Sequence, residues 1–145
     1  MKAVWQQLRP GFSALIVFLA VKYAARFVLP WIMDHVPVRW PIFALYLLII
    51  ATIVLAASIG TRLALQTATR SDKDADLRPV LTFLLCWEAA FEGLRIVRLV
   101  LDEATAAHPI EWSFTVGDGV ALLAMWLVGQ RFLRGMRRQE RAVAA

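Results

Sequence analysis

Charged residues and cysteine are both scarce in this sequence. Only 19% of the 145 residues are charged and 60% are hydrophobic, giving a mean hydropathy of +0.62, whereas soluble domains carry about 25% charged residues. So little charge excludes an ordinary soluble domain and predicts an integral membrane protein. The single cysteine, Cys86, excludes an internal disulfide and a Cys-x-x-Cys site, and we expect it to pack against its neighbours.

The sequence also lacks the short motifs that bind cofactors or support catalysis. It has no Gly-rich phosphate loop and no nucleophile elbow. The only histidines, His35 and His108, fall in predicted turns, which excludes haem ligation by histidines within membrane spans. Acidic residues occur near both histidines, but their spacing does not indicate a metal site. We therefore predict a non-catalytic protein with no cofactor and no metal.

Four apolar runs long enough to cross a bilayer make up most of the chain. They cover residues 12–33, 41–64, 80–101 and 111–132, each close to the roughly 20 residues that a spanning helix needs. Short turns follow the first and third runs, and a longer polar segment, residues 65–79, follows the second. The sequence predicts a single domain, residues 1–145, folded as an all-α four-helix transmembrane bundle with a basic tail at 133–145.

Lysine and arginine are distributed unevenly between the two ends of these runs. Eleven belong to the N-terminal segment, the region joining the second and third runs, and the C-terminal tail, whereas Arg39 alone belongs to the other two turns. Because cytoplasmic segments are rich in Lys and Arg, both termini are predicted to be cytoplasmic. No cleavage site follows the first run, so it is predicted to be a retained span and not a signal peptide.

The same basic ends bear on partners and location. Because the basic residues lie at span ends, we attribute the net charge of +5 to contacts with anionic lipid headgroups. The same position argues against nucleic acid as a partner. Short basic ends without a targeting signal are typical of a multi-pass protein of the bacterial inner (plasma) membrane. The expected partners are the lipid bilayer and either further copies of the chain or a larger membrane protein.

Ionisable residues within the apolar runs form the only predicted site. One such charge at the centre of a span costs about 2.5 to 3.5 kcal/mol on insertion scales, so these side chains are expected to pair or to be hydrated. Helical spacing and a rise of about 1.5 Å per residue predict one charge network joining the first, third and fourth spans. Its members are Lys22, Arg26, Glu88, Glu92, Arg95, Arg98 and Asp118.

Matching depths in the bilayer predict partners for the two cations of the first span. Lys22 is expected to face Glu88 or Glu92, and Arg26 is expected to face Glu92 or Asp118. Each pairing joins the first span to the third or the fourth, because residues on separate spans that lie at the same depth can meet inside the bundle.

The two cations of the third span are expected to make different contacts. Arg95 has Glu92 on its own helix and Asp118 across from it as expected partners. Arg98 lies beside the charged stripe, without an intramolecular partner, and is expected to contact lipid or another subunit.

Three functions are compatible with this charge network. It can hold helices together, which favours a non-catalytic accessory or assembly subunit of a larger membrane complex. It can form a hydrated pathway in which Glu88 or Glu92 carries a proton or cation, as in an oligomeric channel or transporter. Its four cations against three acids can also bind an anion or an anionic headgroup. We favour the accessory subunit and keep the channel or transporter as the alternative.

Overall fold

The computed structural model describes residues 2–35, 41–71, 76–101 and 109–143, and all of these except Pro41 and Asp76 are helical. The helices are α1 (Lys2–His35), α2 (Ile42–Ser71), α3 (Leu77–Leu101) and α4 (Pro109–Val143). This confirms the predicted all-α class across the described ranges. The turn residues 36–40 and 102–108, which include His108, and residues 72–75 of the polar segment lie outside them.

Three helices extend well beyond the predicted spans. α1 begins at Lys2, ten residues before the predicted start at residue 12. α2 continues to Ser71, so the first part of the segment predicted as a loop is helical, and α4 continues through the basic tail to Val143. No Gly or Pro interrupts residues 61–78, and the Thr67 and Thr69 hydroxyls donate hydrogen bonds to carbonyl oxygens one turn earlier. Polar composition alone therefore does not end α2.

The start of α3 has a recognisable cap. The Asp76 carboxylate accepts a hydrogen bond from the backbone N–H of Arg78 at 3.1 Å, which satisfies one of the amides left free in a first helical turn. Pro79 follows in the same turn, where its missing N–H costs nothing. The helix begins three residues before the predicted span at residue 80.

Contacts between helices show that the chain runs up, down, up and down. A methyl group on Gly60 would lie 3.1 Å from the Phe18 ring, and one on Gly117 would lie 2.9 Å from Ile53. These glycines let α2 pack closely against both α1 and α4. α3 packs mainly against α4, and its contact with α1 is the smallest in the bundle.

The apolar core occupies one half of the bundle. It is built from the first half of α1, the second half of α2, the start of α3 and the middle of α4, and its largest buried members are Phe18, Leu65, Leu84 and Met125. The other half, towards the ends of α1 and α3, holds the charged residues. This division places the candidate site where the α1–α3 contact is weakest.

Within the described ranges, three helices are long and apolar enough to cross a membrane: α1 within Arg9–Trp31, α2 over Ile42–Ser71 and α4 within Glu111–Arg137. α3 has the length, at 25 residues, but not the composition, because two acids and two arginines interrupt its apolar sequence. By length and composition the structure therefore supports three of the four predicted spans, as expected for a membrane protein.

Candidate functional site

Lys22 of α1 and Glu88 of α3 form an ion pair across the weakest helix contact. The Lys22 ammonium donates a hydrogen bond to Oε1 of Glu88. The Glu88 side chain is 2% exposed, whereas that of Lys22 is 31% exposed. Of the two acids expected to face Lys22, the structure selects Glu88, and the pair fastens α1 to α3.

Asp118 of α4 lies between the cations of two other helices. Its Oδ2 accepts a hydrogen bond from Nη1 of Arg95 at 2.9 Å, and its Oδ1 lies 3.9 Å from Nζ of Lys22. Gly117 beside it brings the α4 backbone against α2. Asp118 therefore connects α1, α3 and α4. Its contact with Arg95 matches the prediction, but its contact on α1 is with Lys22 and not with Arg26, the expected partner.

Arg95 has two further contacts that the sequence reasoning missed. Its Nη2 donates a hydrogen bond to Oε2 of Glu111 at 3.2 Å, and its guanidinium carbon lies 5.0 Å from the centre of the Phe114 ring. Glu111 and Asp118 are seven residues apart and share a face of α4, a spacing that could have identified Glu111. The cation–π contact and two carboxylates hold the guanidinium against α4.

Five of these residues form a continuous series of alternating charge, here called the ion-pair network: Glu88, Lys22, Asp118, Arg95 and Glu111. The network contains three acids and two bases. Pairing offsets much of the desolvation cost of the buried charges, and it joins three of the four helices through side chains.

Glu92 is buried but takes no part in this network. The residue is 7% exposed, and neither carboxyl oxygen has a hydrogen-bond partner among the described residues. The expected contact with Arg95 is absent because that guanidinium is turned towards the two acids of α4. Lys22, the other expected partner, is bonded to Glu88.

Arg26 and Arg98 are the two exposed cations of the predicted charge network. The expected pairing of Arg26 with Glu92 or Asp118 is absent, because Lys22 and Arg95 occupy Asp118 and no contact joins Arg26 to Glu92. Within the parts of the chain that the structure describes, neither arginine has an ion pair. Both guanidinium groups therefore remain available.

A cavity of about 940 Å³ brings these groups together. Every residue of the predicted charge network lines it, together with Glu111, while Leu29, Phe91, Leu94 and Leu99 provide apolar walls. A second cavity of about 110 Å³ between α1 and α3 shares Lys22 and Arg26 with it. The larger volume is in the range of pockets that hold organic ligands, about 300–1,000 Å³.

The arrangement can do two kinds of chemistry. The Glu92 carboxyl, which has no hydrogen bond among the described residues, can exchange a proton or a cation with the cavity. Arg26 and Arg98, which have no ion pair there, can bind an anion. In comparison with known proteins, the chain matches no family model, no curated protein and no solved structure.

Proposed function

We propose that the chain is a four-span protein of the bacterial inner membrane with both termini in the cytoplasm. The distribution of Lys and Arg supports this orientation. α3 can serve as the fourth span because Glu88, Glu92 and Arg95 point into the bundle, while large apolar side chains cover its outer face. An amphipathic span shielded in this way avoids most of the cost of exposing charge to lipid.

Reporter fusions test this topology. Fusions after residues 74 and 145 are expected to give fluorescent green fluorescent protein and inactive alkaline phosphatase, because both sites are cytoplasmic. Fusions after residues 36 and 105 are expected to give the opposite result. An active phosphatase after residue 145 combined with an inactive one after residue 105 would show that α3 does not cross the membrane.

We propose further that the protein is a small oligomeric transporter or channel, in which protons or small ions move through the charged cavity. The observation that carries this proposal is Glu92, a buried carboxyl that lines the cavity of about 940 Å³ and has no hydrogen-bond partner among the described residues. A purely structural role accounts for the ion-pair network, since paired charges hold helices together. It does not account for an acid kept buried with no ion pair or hydrogen bond among the described residues, which is costly unless a proton or cation joins it.

Flux through liposomes containing the purified protein tests this function. Under an imposed pH gradient, wild-type protein is expected to pass protons faster than protein-free liposomes, and Glu92→Gln is expected to lower that flux about tenfold or more, because the amide cannot take up a proton. Asp34→Asn, an exposed acid at the end of α1, serves as the matched control and should leave the flux unchanged. Equal flux in wild type and Glu92→Gln would contradict the proposal.

An accessory subunit is the second candidate function. The observation favouring it is the pair of exposed arginines at the α1–α3 contact, which a neighbouring membrane protein could engage with acidic residues. This function predicts no flux in the liposome experiment and a complex larger than a homo-oligomer after extraction in gentle detergent. Recovery of the chain alone or only as a homo-oligomer would contradict it.

A further inference from the structure

We infer that the cavity binds an organic oxyanion, a carboxylate or phosphate group attached to an apolar body, through Arg26 and Arg98. The inference rests on the proposed transport function and names the class of molecule that the site takes. The free cations, the size and lining of the cavity, and its charge balance support it.

Arg26 and Arg98 are the cations that the protein leaves unused in this cavity. Both line it and both are exposed, and neither forms an ion pair within the described chain. Lys22 and Arg95, by contrast, are each bonded to a carboxylate. A guanidinium presents five donors in a planar fork that matches the two oxygens of a carboxylate or phosphate.

The two arginines lie on opposite sides of the α1–α3 contact and at different depths. Arg26 is one helical turn beyond Lys22, whereas Arg98 is ten residues beyond the Glu88 that pairs with Lys22. Since α1 and α3 run in the same direction, Arg98 lies about 9 Å further along the bundle. An anion that enters from the ends of α1 and α3 therefore meets Arg98 first and Arg26 deeper inside.

The lining and volume favour an organic ligand over an inorganic ion. Leu29, Phe91, Leu94 and Leu99 surround the charged groups with apolar surface. A volume of about 940 Å³ is close to the upper end of organic-ligand pockets. A ligand with an oxyanion at one end and an apolar body can satisfy both parts of this lining.

A single negative charge on the ligand matches the charge of the cavity lining once Glu92 holds a proton. The ion-pair network carries one more acid than base, Arg26 and Arg98 add two positive charges, and α2 contributes no charged residue to the lining. With Glu92 ionised the described lining is neutral overall, four cations against four acids, and with a proton on Glu92 it carries +1, which one monoanion neutralises. Proton and anion would then enter together, without moving net charge into the bilayer.

Binding of matched amphiphiles to the full chain in a neutral detergent tests this inference. The probes are octanoate, octanol and octylammonium, which share an apolar body and differ in charge, and calorimetric titration gives their affinities. Octanoate is expected to bind wild type most tightly, and the Arg26→Gln/Arg98→Gln double variant is expected to weaken it about tenfold or more. Equal affinity in the double variant, or octylammonium binding as tightly as octanoate, would overturn the inference.

Two controls separate loss of the site from loss of the fold. Arg62→Gln removes an exposed arginine of α2 that does not line the cavity, and it should bind octanoate like wild type. Arg26→Lys/Arg98→Lys keeps the charge but not the planar fork and should give an intermediate affinity. Helical circular dichroism of each variant should match wild type, since the altered side chains form no ion pair among the described residues.

A second arm distinguishes a lipid headgroup from a free solute. Native mass spectrometry after addition of phosphatidylglycerol or phosphatidylcholine shows whether the anionic lipid is retained and whether octanoate displaces it. Retention that depends on the two arginines identifies a lipid source, and octanoate binding without lipid retention identifies a soluble one. If neither lipid retention nor octanoate binding depends on the two arginines, the inference is overturned.

The inference and the transport function can fail separately. Flux that requires Glu92 but octanoate binding that ignores both arginines would leave the transporter standing and remove its proposed ligand. Octanoate binding that requires Arg26 and Arg98, in a protein with no flux, would refute transport and leave a static oxyanion site.

Discussion

Lys22→Met is expected to lower the free energy of unfolding by about 3 kcal/mol, because it leaves the Glu88 carboxylate buried without a counter-charge. Breaking a buried pair from one side costs about 3–5 kcal/mol. We place this pair at the lower end because 31% of the Lys22 side chain is exposed and water can partly replace it. Methionine keeps much of the length of lysine, so little packing is lost. Unfolding by sodium dodecyl sulfate in mixed micelles, followed by circular dichroism, measures the change.

Arg26→Met is the matched control for this substitution. Arg26 lies one turn further along α1 and has no ion pair among the described residues, so its replacement should change stability by less than about 1 kcal/mol. Combining Lys22→Met with Glu88→Leu should recover most of the loss, because the uncompensated charge is then removed. A double variant as unstable as Lys22→Met alone would show that the pair is not the source of the effect.

Arg95→Met should produce the largest loss of stability of any single charge removal in the bundle. The substitution leaves two acids of α4, Glu111 and Asp118, without their shared cation, and it also removes the contact with Phe114. We expect a loss of about 3–5 kcal/mol. Because Arg95 holds α3 against α4, the loss should be accompanied by faster proteolysis of the α3 region. Unfolding curves and limited proteolysis measure the two effects.

Arg98→Met gives a close comparison, since it removes the same side-chain type three residues later on the same helix. Arg98 is exposed and has no ion pair in the described ranges, so its loss should leave the unfolding curve within about 1 kcal/mol of wild type. Equal losses for Arg95→Met and Arg98→Met would mean that an arginine in the ion-pair network contributes no more to stability than an exposed arginine outside it. Arg98 also belongs to the proposed oxyanion site. Arg98→Met should therefore weaken octanoate binding while leaving the stability of the protein unchanged.

The pairing of charges was only partly predictable. Depth along each helix follows from the rise per residue, and it correctly indicated that Lys22 faces the acids of α3 and that Asp118 lies opposite Arg95. Depth does not give the rotation of a long side chain. The Arg95 side chain could have turned back to Glu92 on its own helix. It points to α4 instead, where two carboxylates and an aromatic ring contact it.

Glu92 illustrates what pairwise reasoning misses. Its neighbours Lys22 and Arg95 have the right sign and approximate depth, so the sequence predicts a partner for it. Each cation can point in only one direction and has few N–H donors. In the structure Lys22 and Arg95 both donate to other acids. Competition among the charges of the site leaves Glu92 without an ion pair or hydrogen bond among the described residues, although Arg95 and Asp118 lie near it, and that competition depends on the helix packing.

The sequence by itself determined the all-helical class, the presence of helices long and apolar enough to cross a membrane, and most of the charged residues that line the cavity. These follow from composition and the cost of burying charge, which do not depend on the arrangement of the helices. Tertiary structure alone decided which charges pair, that α3 packs against α4 more than against α1, and that a cavity remains between them. Close packing at Gly60 and Gly117 draws α2 towards α1 and α4, and the space left beside α3 exposes Arg26 and Arg98 to whatever enters it.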